Sequence, residues 1–169
     1  MVESGKKSIY LPFNVIMINI VGTYECKIDS KARVMIPAAL KKQLSPILSN
    51  GFIIKRSVFS SCLELHPISE WNNLMLEVNK LNRFIKKNND FIRLFTAGVK
   101  SIEADSTARI QLPKDLVSFA GIQKDIVLSS SVNMIEIWDK DKYEHELEIA
   151  TPDFAQLAED VMGDTQNLD

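Results

Sequence analysis

From Tyr24 to Asp29, apolar and polar side chains alternate: Tyr24, Cys26 and Ile28 against Glu25, Lys27 and Asp29. A period of two is that of a half-buried strand. Val34-Met35-Ile36 reads as a second strand, after a turn opened by Asp29, a natural start for an Asx-type bend. Pro37 then opens a short helix over Ala38 to Leu44, at a position where its missing N–H costs nothing. Two further apolar runs, Phe52 to Arg56 and Cys62 to Leu65, read as strands, and a helix starts near Ser69. The spacing thus predicts β-β-α-β-β-α.

The same order then recurs. Asp29-Ser30-Lys31-Ala32-Arg33 returns as Asp105-Ser106-Thr107-Ala108-Arg109, 76 residues later. Ile36-Pro37 matches Leu112-Pro113 at that offset, and Leu40 matches Leu116. Phe52-Ile53-Ile54 matches Ile126-Val127-Leu128 at offset 74. Leu63-Glu64-Leu65 matches Ile135-Glu136-Ile137, and Trp71 matches Tyr143, at offset 72. The chain is read as a tandem duplication of a unit of about 50 residues. The second unit is expected to have a strand at Ile110 to Leu112 and a helix at Lys114 to Phe119. Strands at Ile126 to Ser129 and Met134 to Trp138 follow, then a helix from near Lys140.

A helical segment from about Glu70 to Phe95 joins the units. Leu74, Val78, Leu81 and Ile85 fall at helical spacing, as do Phe91, Leu94 and Phe95, and this stripe is expected to be core, the alternative being an oligomer contact. Asn88-Asn89 is expected to break the segment into two helices. After Tyr143, Thr151-Pro152-Asp153 reads as a helix start and Gly163 as its stop. Phe154, Leu157 and Val161 share one face of that helix, which is expected to dock, for instance on the chain's own body; the acidic tail is expected either to shield the basic surface or to contact a neighbouring subunit. The expected organisation is an extension at 1–16, a first unit at 19–71, a connector at 72–95, a second unit at 96–143 and a tail at 144–169.

Charge changes the picture. The 169 residues carry a net charge of -2, which by itself speaks against a nucleic-acid partner. All 20 Lys and Arg lie in residues 1–142, against 14 acids, so that part carries +6. Residues 143–169 hold eight acids and no Lys or Arg, hence -8. A basic body is masked by an acidic tail. Lys27, Lys31, Arg33, Lys41 and Lys42 cluster in and after the first turn, a footprint suited to phosphate.

Other chemistry is sparse. Two cysteines, Cys26 and Cys62, form no disulfide framework and no C-x-x-C pair, and read as small buried thiols. No apolar run of about 18 residues exists, so no membrane span is expected. Lys6, Lys7 and the apolar run from Ile9 resemble a signal peptide only weakly, because Pro12, Asn14 and Asn19 interrupt the run. Glu64 and Glu136 are a matched carboxylate pair, and a duplicated Glu is more often structural than catalytic. No phosphate loop, nucleophile elbow or metal constellation is present, so neither an enzyme, a cofactor, a metal nor a small-molecule substrate is expected.

Gly22-Thr23-Tyr24-Glu25-Cys26-Lys27-Ile28-Asp29, the two D-S-x-A-R turns and Leu63-Glu64-Leu65 with Glu70-Trp71 form an ordered set. Phe95-Thr96-Ala97-Gly98 and Ile135-Glu136-Ile137-Trp138-Asp139-Lys140 complete it. Over about Asn19 to Leu147 the chain resembles the MraZ family of bacterial transcriptional regulators of the division and cell-wall gene cluster. The resemblance implies an α+β fold: two tandem β-β-α-β-β-α units forming an AbrB-like swapped-hairpin β-barrel with peripheral helices. It implies a ring-like homo-oligomer that binds double-stranded DNA at direct repeats upstream of its own operon, in the cytoplasm at the nucleoid. The family motif is D-x-x-G-R. Carried over, it points to Arg33 and Arg109 as DNA contacts, with Asp29 and Asp105 holding the turns.

Ala32 and Ala108 stand at the motif's Gly positions. If a positive φ is needed there, each would cost on the order of 1–2 kcal/mol, so the turns are expected to keep Ala in an ordinary conformation or to tolerate modest strain. The resemblance also implies a start at Met17, since family chains usually begin just before the G-T-Y-E-C strand. The units differ in charge. Lys27, Lys31 and Arg33 in the first match Glu103, Thr107 and Arg109 in the second. The DNA-binding set is therefore read as Arg33, Arg109, Lys31 and Lys27, with the first unit dominant. The competing reading is an oligomeric scaffold or antitoxin-like module whose main partner is protein.

Overall fold

The computed structural model describes residues 18–150 and 152–163. Met17, the segment 1–16 and Thr151 lie outside them. The first unit contains β1 (Thr23–Lys27), β2 (Arg33–Met35), α1 (Ala38–Leu44), β3 (Phe52–Arg56), β4 (Leu63–Pro67) and α2 (Ile68–Asn79). The connector helix is α3 (Lys86–Phe95). The second unit contains β5 (Lys100–Ile102), β6 (Arg109–Gln111), α4 (Lys114–Ala120), β7 (Asp125–Ser131), β8 (Met134–Asp139) and α5 (Lys140–Ala150). The tail helix is α6 (Phe154–Met162). Pro37, Pro67 and Pro113 each sit at the N-cap rather than inside the helix they precede.

Six strands form one antiparallel sheet in the order β1-β7-β8-β4-β3-β5, and β2 pairs with β6 in a separate two-stranded ribbon. Exchanging the two units reverses this order onto itself, so the chain carries an internal two-fold. Its axis passes between Glu64 and Glu136, directly opposed on β4 and β8, and between Val34 and Ile110 on the ribbon. The first strand of each unit lies on the other unit's hairpin: β1 on β7 and β5 on β3. The sheet is open, with β1 and β5 at its edges, and does not close into the expected barrel.

One core serves both units. Val34, Leu40, Leu44, Phe52, Ile54 and Leu63 of the first pack with Ile110, Leu112, Leu116, Ile126, Ile135 and Ile137 of the second. Alternation explains the strand contributions: Leu63 and Leu65 point to this core, while Glu64 points to the opposite face.

Three expectations need correction. The connector breaks between Asn79 and Lys86, not at Asn88-Asn89. Those two asparagines stand in the first turn of α3, where Asn88 Nδ2 donates to Asn82 O at 2.9 Å and Asn89 Nδ2 to Arg83 O at 2.6 Å. Side-chain amides there tie down the preceding loop instead of ending a helix. The connector stripe is core only in part: Val78 is buried, but Ile85, Phe91 and Leu94 are exposed. In the tail, α6 is capped by Asp153, whose carboxylate accepts from Gln156 N at 3.1 Å. Its Phe154, Leu157 and Val161 are exposed, so among the described residues this apolar face of α6 is not packed on the chain's own body.

Because each hairpin takes an edge strand from the other unit, neither half completes its own sheet. A chain ending at residue 95 is expected to lack a cooperative monomeric unfolding transition. Denaturant titration followed by circular dichroism checks this; a sharp transition in a monomer of that half would contradict it.

Candidate nucleic-acid interface

The two D-S-x-A-R turns fold alike, and their aspartates do the folding. Asp29 Oδ1 accepts from the backbone N–H of Lys31 and of Arg33, both at 2.9 Å. Asp29 Oδ2 accepts from Arg33 Nε at 2.8 Å. Asp105 Oδ1 accepts from the N–H of Thr107 and of Arg109 at 2.9 Å, and Oδ2 from Arg109 Nε at 2.9 Å. Thr107 Oγ1 adds a bond to Asp105 Oδ1 at 2.8 Å, which has no counterpart at Lys31. Both carboxyls are held below their ordinary value. For Asp29 the backbone N–H of Arg33 is the largest cause, and burial opposes it. For Asp105 it is the backbone N–H of Arg109, then the Thr107 hydroxyl.

Ala32 and Ala108 adopt φ of 58° and 59°. The expectation of an ordinary conformation is thereby corrected, and the arm that stands is tolerated strain. Several bonds fix each alanine there. Ala32 N donates to Asp29 O at 3.0 Å, and Ala32 O accepts from Leu112 N at 2.8 Å. Ala108 N donates to Asp105 O, and Ala108 O accepts from Ile36 N, both at 3.0 Å. Each turn is therefore stitched to the strand of the other unit, which over-determines an unfavourable backbone.

The ribbon brings the two arginines together. Arg33 faces Gln111, Val34 faces Ile110, and Met35 faces Arg109. Val34 and Ile110 are buried, while Met35 and Gln111 are exposed and both arginines partly so. Period two then puts Arg33, Met35, Arg109 and Gln111 on one outward face. Each arginine is anchored through Nε alone. Among the described residues its Nη groups have no hydrogen-bond partner. Sequence reasoning missed Met35 and Gln111, although the alternation around Val34 and Ile110 already set them beside the arginines.

Lys31 lies at the tip of the first turn, exposed and without an acidic partner among the described residues. Lys27 lies elsewhere. It is on β1 of the large sheet, opposite Asp125, with 4.0 Å between the charged groups.

The carboxylate pair is opposed across β4 and β8, and both members are engaged. Glu64 Oε2 accepts from Lys55 Nζ at 3.1 Å and lies 3.1 Å from His66 Nε2. Burial opposes the Glu64 charge, yet His66 and Lys55 hold its carboxyl below the ordinary value. The Lys55 ammonium, fully buried, also lies 4.6 Å from the centre of the Phe95 ring, which stacks on Trp71. Glu136 Oε2 accepts from Trp138 Nε1 at 2.8 Å. The Lys55–Phe95 contact fastens the first hairpin to α3, while the Glu136–Trp138 bond stays within β8. Cys62 is buried beside them, and burial pushes its thiol up to about 12.

The family model described as "MraZ protein, putative antitoxin-like" matches residues 20–94 and again residues 95–164. The chain is 65% identical over 147 residues to a protein of Christiangramia forsetii named Transcriptional regulator MraZ, covering 87% of this chain and 95% of that one. Proteins of the same name from Flavobacterium psychrophilum and Clostridium tetani are 62% and 34% identical. Those matches cover 89% and 82% of this chain, and 96% and 94% of the relatives.

Two predictions follow from the turns. Since both carboxyls bind protons less readily folded than unfolded, their stabilisation is present above about pH 4 and fades as the pH falls through and below that value. Asp29→Asn/Asp105→Asn is expected to flatten the acid limb of stability measured by denaturant titration between pH 2 and 6; an unchanged slope would contradict the assignment. Ala32→Gly and Ala108→Gly remove a strain of about 1–2 kcal/mol against a chain-entropy cost of about 0.4–1 kcal/mol. Each is expected to raise the unfolding free energy by up to about 1.6 kcal/mol, and a loss at both sites would contradict this.

Proposed function

The chain belongs to the MraZ family, and we propose that it is a transcriptional regulator that binds double-stranded DNA through the outer face of the β2–β6 ribbon. The observation that carries this reading is the pair of arginines on that face, each oriented by its own aspartate with its Nη groups unpartnered among the described residues. A guanidinium presented in this way suits bidentate contact with guanine or phosphate. A two-stranded ribbon is narrow enough to enter a major groove. The relatives' printed name, Transcriptional regulator MraZ, supports the regulator class.

The proposed target is a set of direct repeats upstream of the chain's own operon, in the division and cell-wall cluster, engaged by a ring-like homo-oligomer at the nucleoid. One small ribbon gives modest affinity, and several ribbons on one assembly multiply it through effective concentration. Within each chain the two halves of the ribbon are unequal. Lys31 adds a cation with no acidic partner among the described residues to the first turn, where the second has Thr107 locked onto Asp105. The first unit is therefore the stronger contributor. Lys27 is the weakest of the four basic residues, because Asp125 offsets it.

In gel-shift titrations with the chain's own upstream region, Arg33→Ala is expected to weaken binding by roughly 5- to 150-fold, corresponding to the loss of about 1–3 kcal/mol. Arg109→Ala should cost less and Lys27→Ala least. Lys31→Ala should lower the slope of log affinity against log salt by about 0.9 per DNA-bound chain. Greater damage from Arg109→Ala than from Arg33→Ala would refute the ranking, and no shift with the unmodified chain would refute the reading.

A further inference from the structure

Two amphipathic faces of this chain carry opposite charge and are exposed among the described residues. The first belongs to the connector. Phe84 is 100% exposed and Leu94 71%, with Ile85 and Phe91 also exposed. On α3, Lys87, Phe91 and Leu94 recur at spacings of four and three, which sets them on one face. Residues 80–95 hold Lys80, Arg83, Lys86, Lys87 and Arg93 against Asp90 alone, hence +4. Lys86 and Arg93 share Asp90 at 2.5 and 2.9 Å. Arg83 and Lys87 have no acidic partner among the described residues.

The second face belongs to α6. Phe154, Leu157 and Val161 recur at spacings of three and four and are 67%, 47% and 59% exposed. Asp160 borders this stripe. Residues 143–163 hold six acids and no Lys or Arg. The two helices match in length, ten residues in α3 and nine in α6, about 15 and 14 Å. Exposed apolar stripes of this kind mark contact surfaces.

We infer that α6 of one copy docks along α3 of a second copy, with Phe154, Leu157 and Val161 against Phe84, Phe91 and Leu94 and with the tail's acids facing Arg83 and Lys87. The inference rests on the oligomer part of the proposed function and names the surfaces that build it. A chain that carries both halves of a contact on separate surfaces associates head to tail, which closes into a ring or runs on as a filament. Nucleic acid fits α3 less well. It would meet the cations but leave the apolar stripe uncovered, and it has no use for the acidic face of α6.

The test uses the full chain with two surface variants, Lys87→Glu/Leu94→Asp on the connector and Leu157→Lys/Asp160→Lys on the tail. Light scattering is expected to show the unmodified chain assembled and each variant alone at the mass of one chain. Mixed in equal amounts, the variants still offer one intact tail and one intact connector, so the mass should double and stop there. An unmodified chain that stays monomeric, variants that assemble as it does, or a mixture that stays monomeric overturns the docking. A connector variant that assembles fully but loses operator affinity overturns it too, and makes α3 a nucleic-acid contact. An unmodified chain that assembles, with variants behaving as expected, yet does not shift its upstream DNA supports the docking and sinks the regulator reading.

Discussion

The first strand of each unit finds its antiparallel partner in the other unit: β1 runs along β7 for five residues, and β5 runs along β3. Everything else about the chain depends on this exchange. It merges two repeats into one sheet and one core. It also forces the turn after each first strand to cross toward the other unit, so that β2 and β6 meet. The D-S-x-A-R turns lie far apart in sequence, yet their arginines end up on neighbouring strands of one ribbon. Without the exchange the chain would carry two separate single-arginine turns.

Within that frame the aspartates set the chemistry. Each uses one carboxylate oxygen to close its turn and the other to hold Nε of the arginine four residues on. The pairing removes rotamer freedom that a long side chain would otherwise lose on binding. The left-handed alanines are the counterpart of this rigidity, held by bonds to Leu112 and Ile36 from the opposite unit. Symmetry of backbone then permits asymmetry of charge: Lys31 and Thr107 occupy equivalent places, one an exposed cation and the other a further lock on the turn.

Much of this was legible in the residues. The offset repeats revealed the duplication, and alternation around Cys26, Val34 and Leu63 revealed the strands. The helix beginning at Ala38 followed from Pro37. The split of charge after Lys142 exposed a basic body that the net charge hides. What the residues left open has physical reasons. Which hairpin receives which first strand is not written in alternation, because both units present the same pattern to both choices. The MraZ resemblance supplied that expectation, and the open sheet departs from the barrel it implied. Asn88 and Asn89 looked like a break because asparagine competes with helical bonding; here the same amides reach back to Asn82 and Arg83 and secure the helix start. At Ala32 and Ala108 the motif's Gly positions raised a positive φ, but the alanines themselves argued against it, and the surrounding bonds impose it. The stripes at Phe91 and Phe154 have helical period whether they cover a core or await a partner, so periodicity alone assigned the first to the interior and left the second with the wrong neighbour.

Hydrogen–deuterium exchange of the full chain, with and without a duplex from its own upstream region, tests the central claim most directly. The ribbon account predicts slowed exchange on DNA binding in both turn-and-strand segments, residues 29–35 and 105–111, with the exterior of α3 unchanged. Protection confined to the connector, or to one turn with the other untouched, would contradict a shared two-arginine interface.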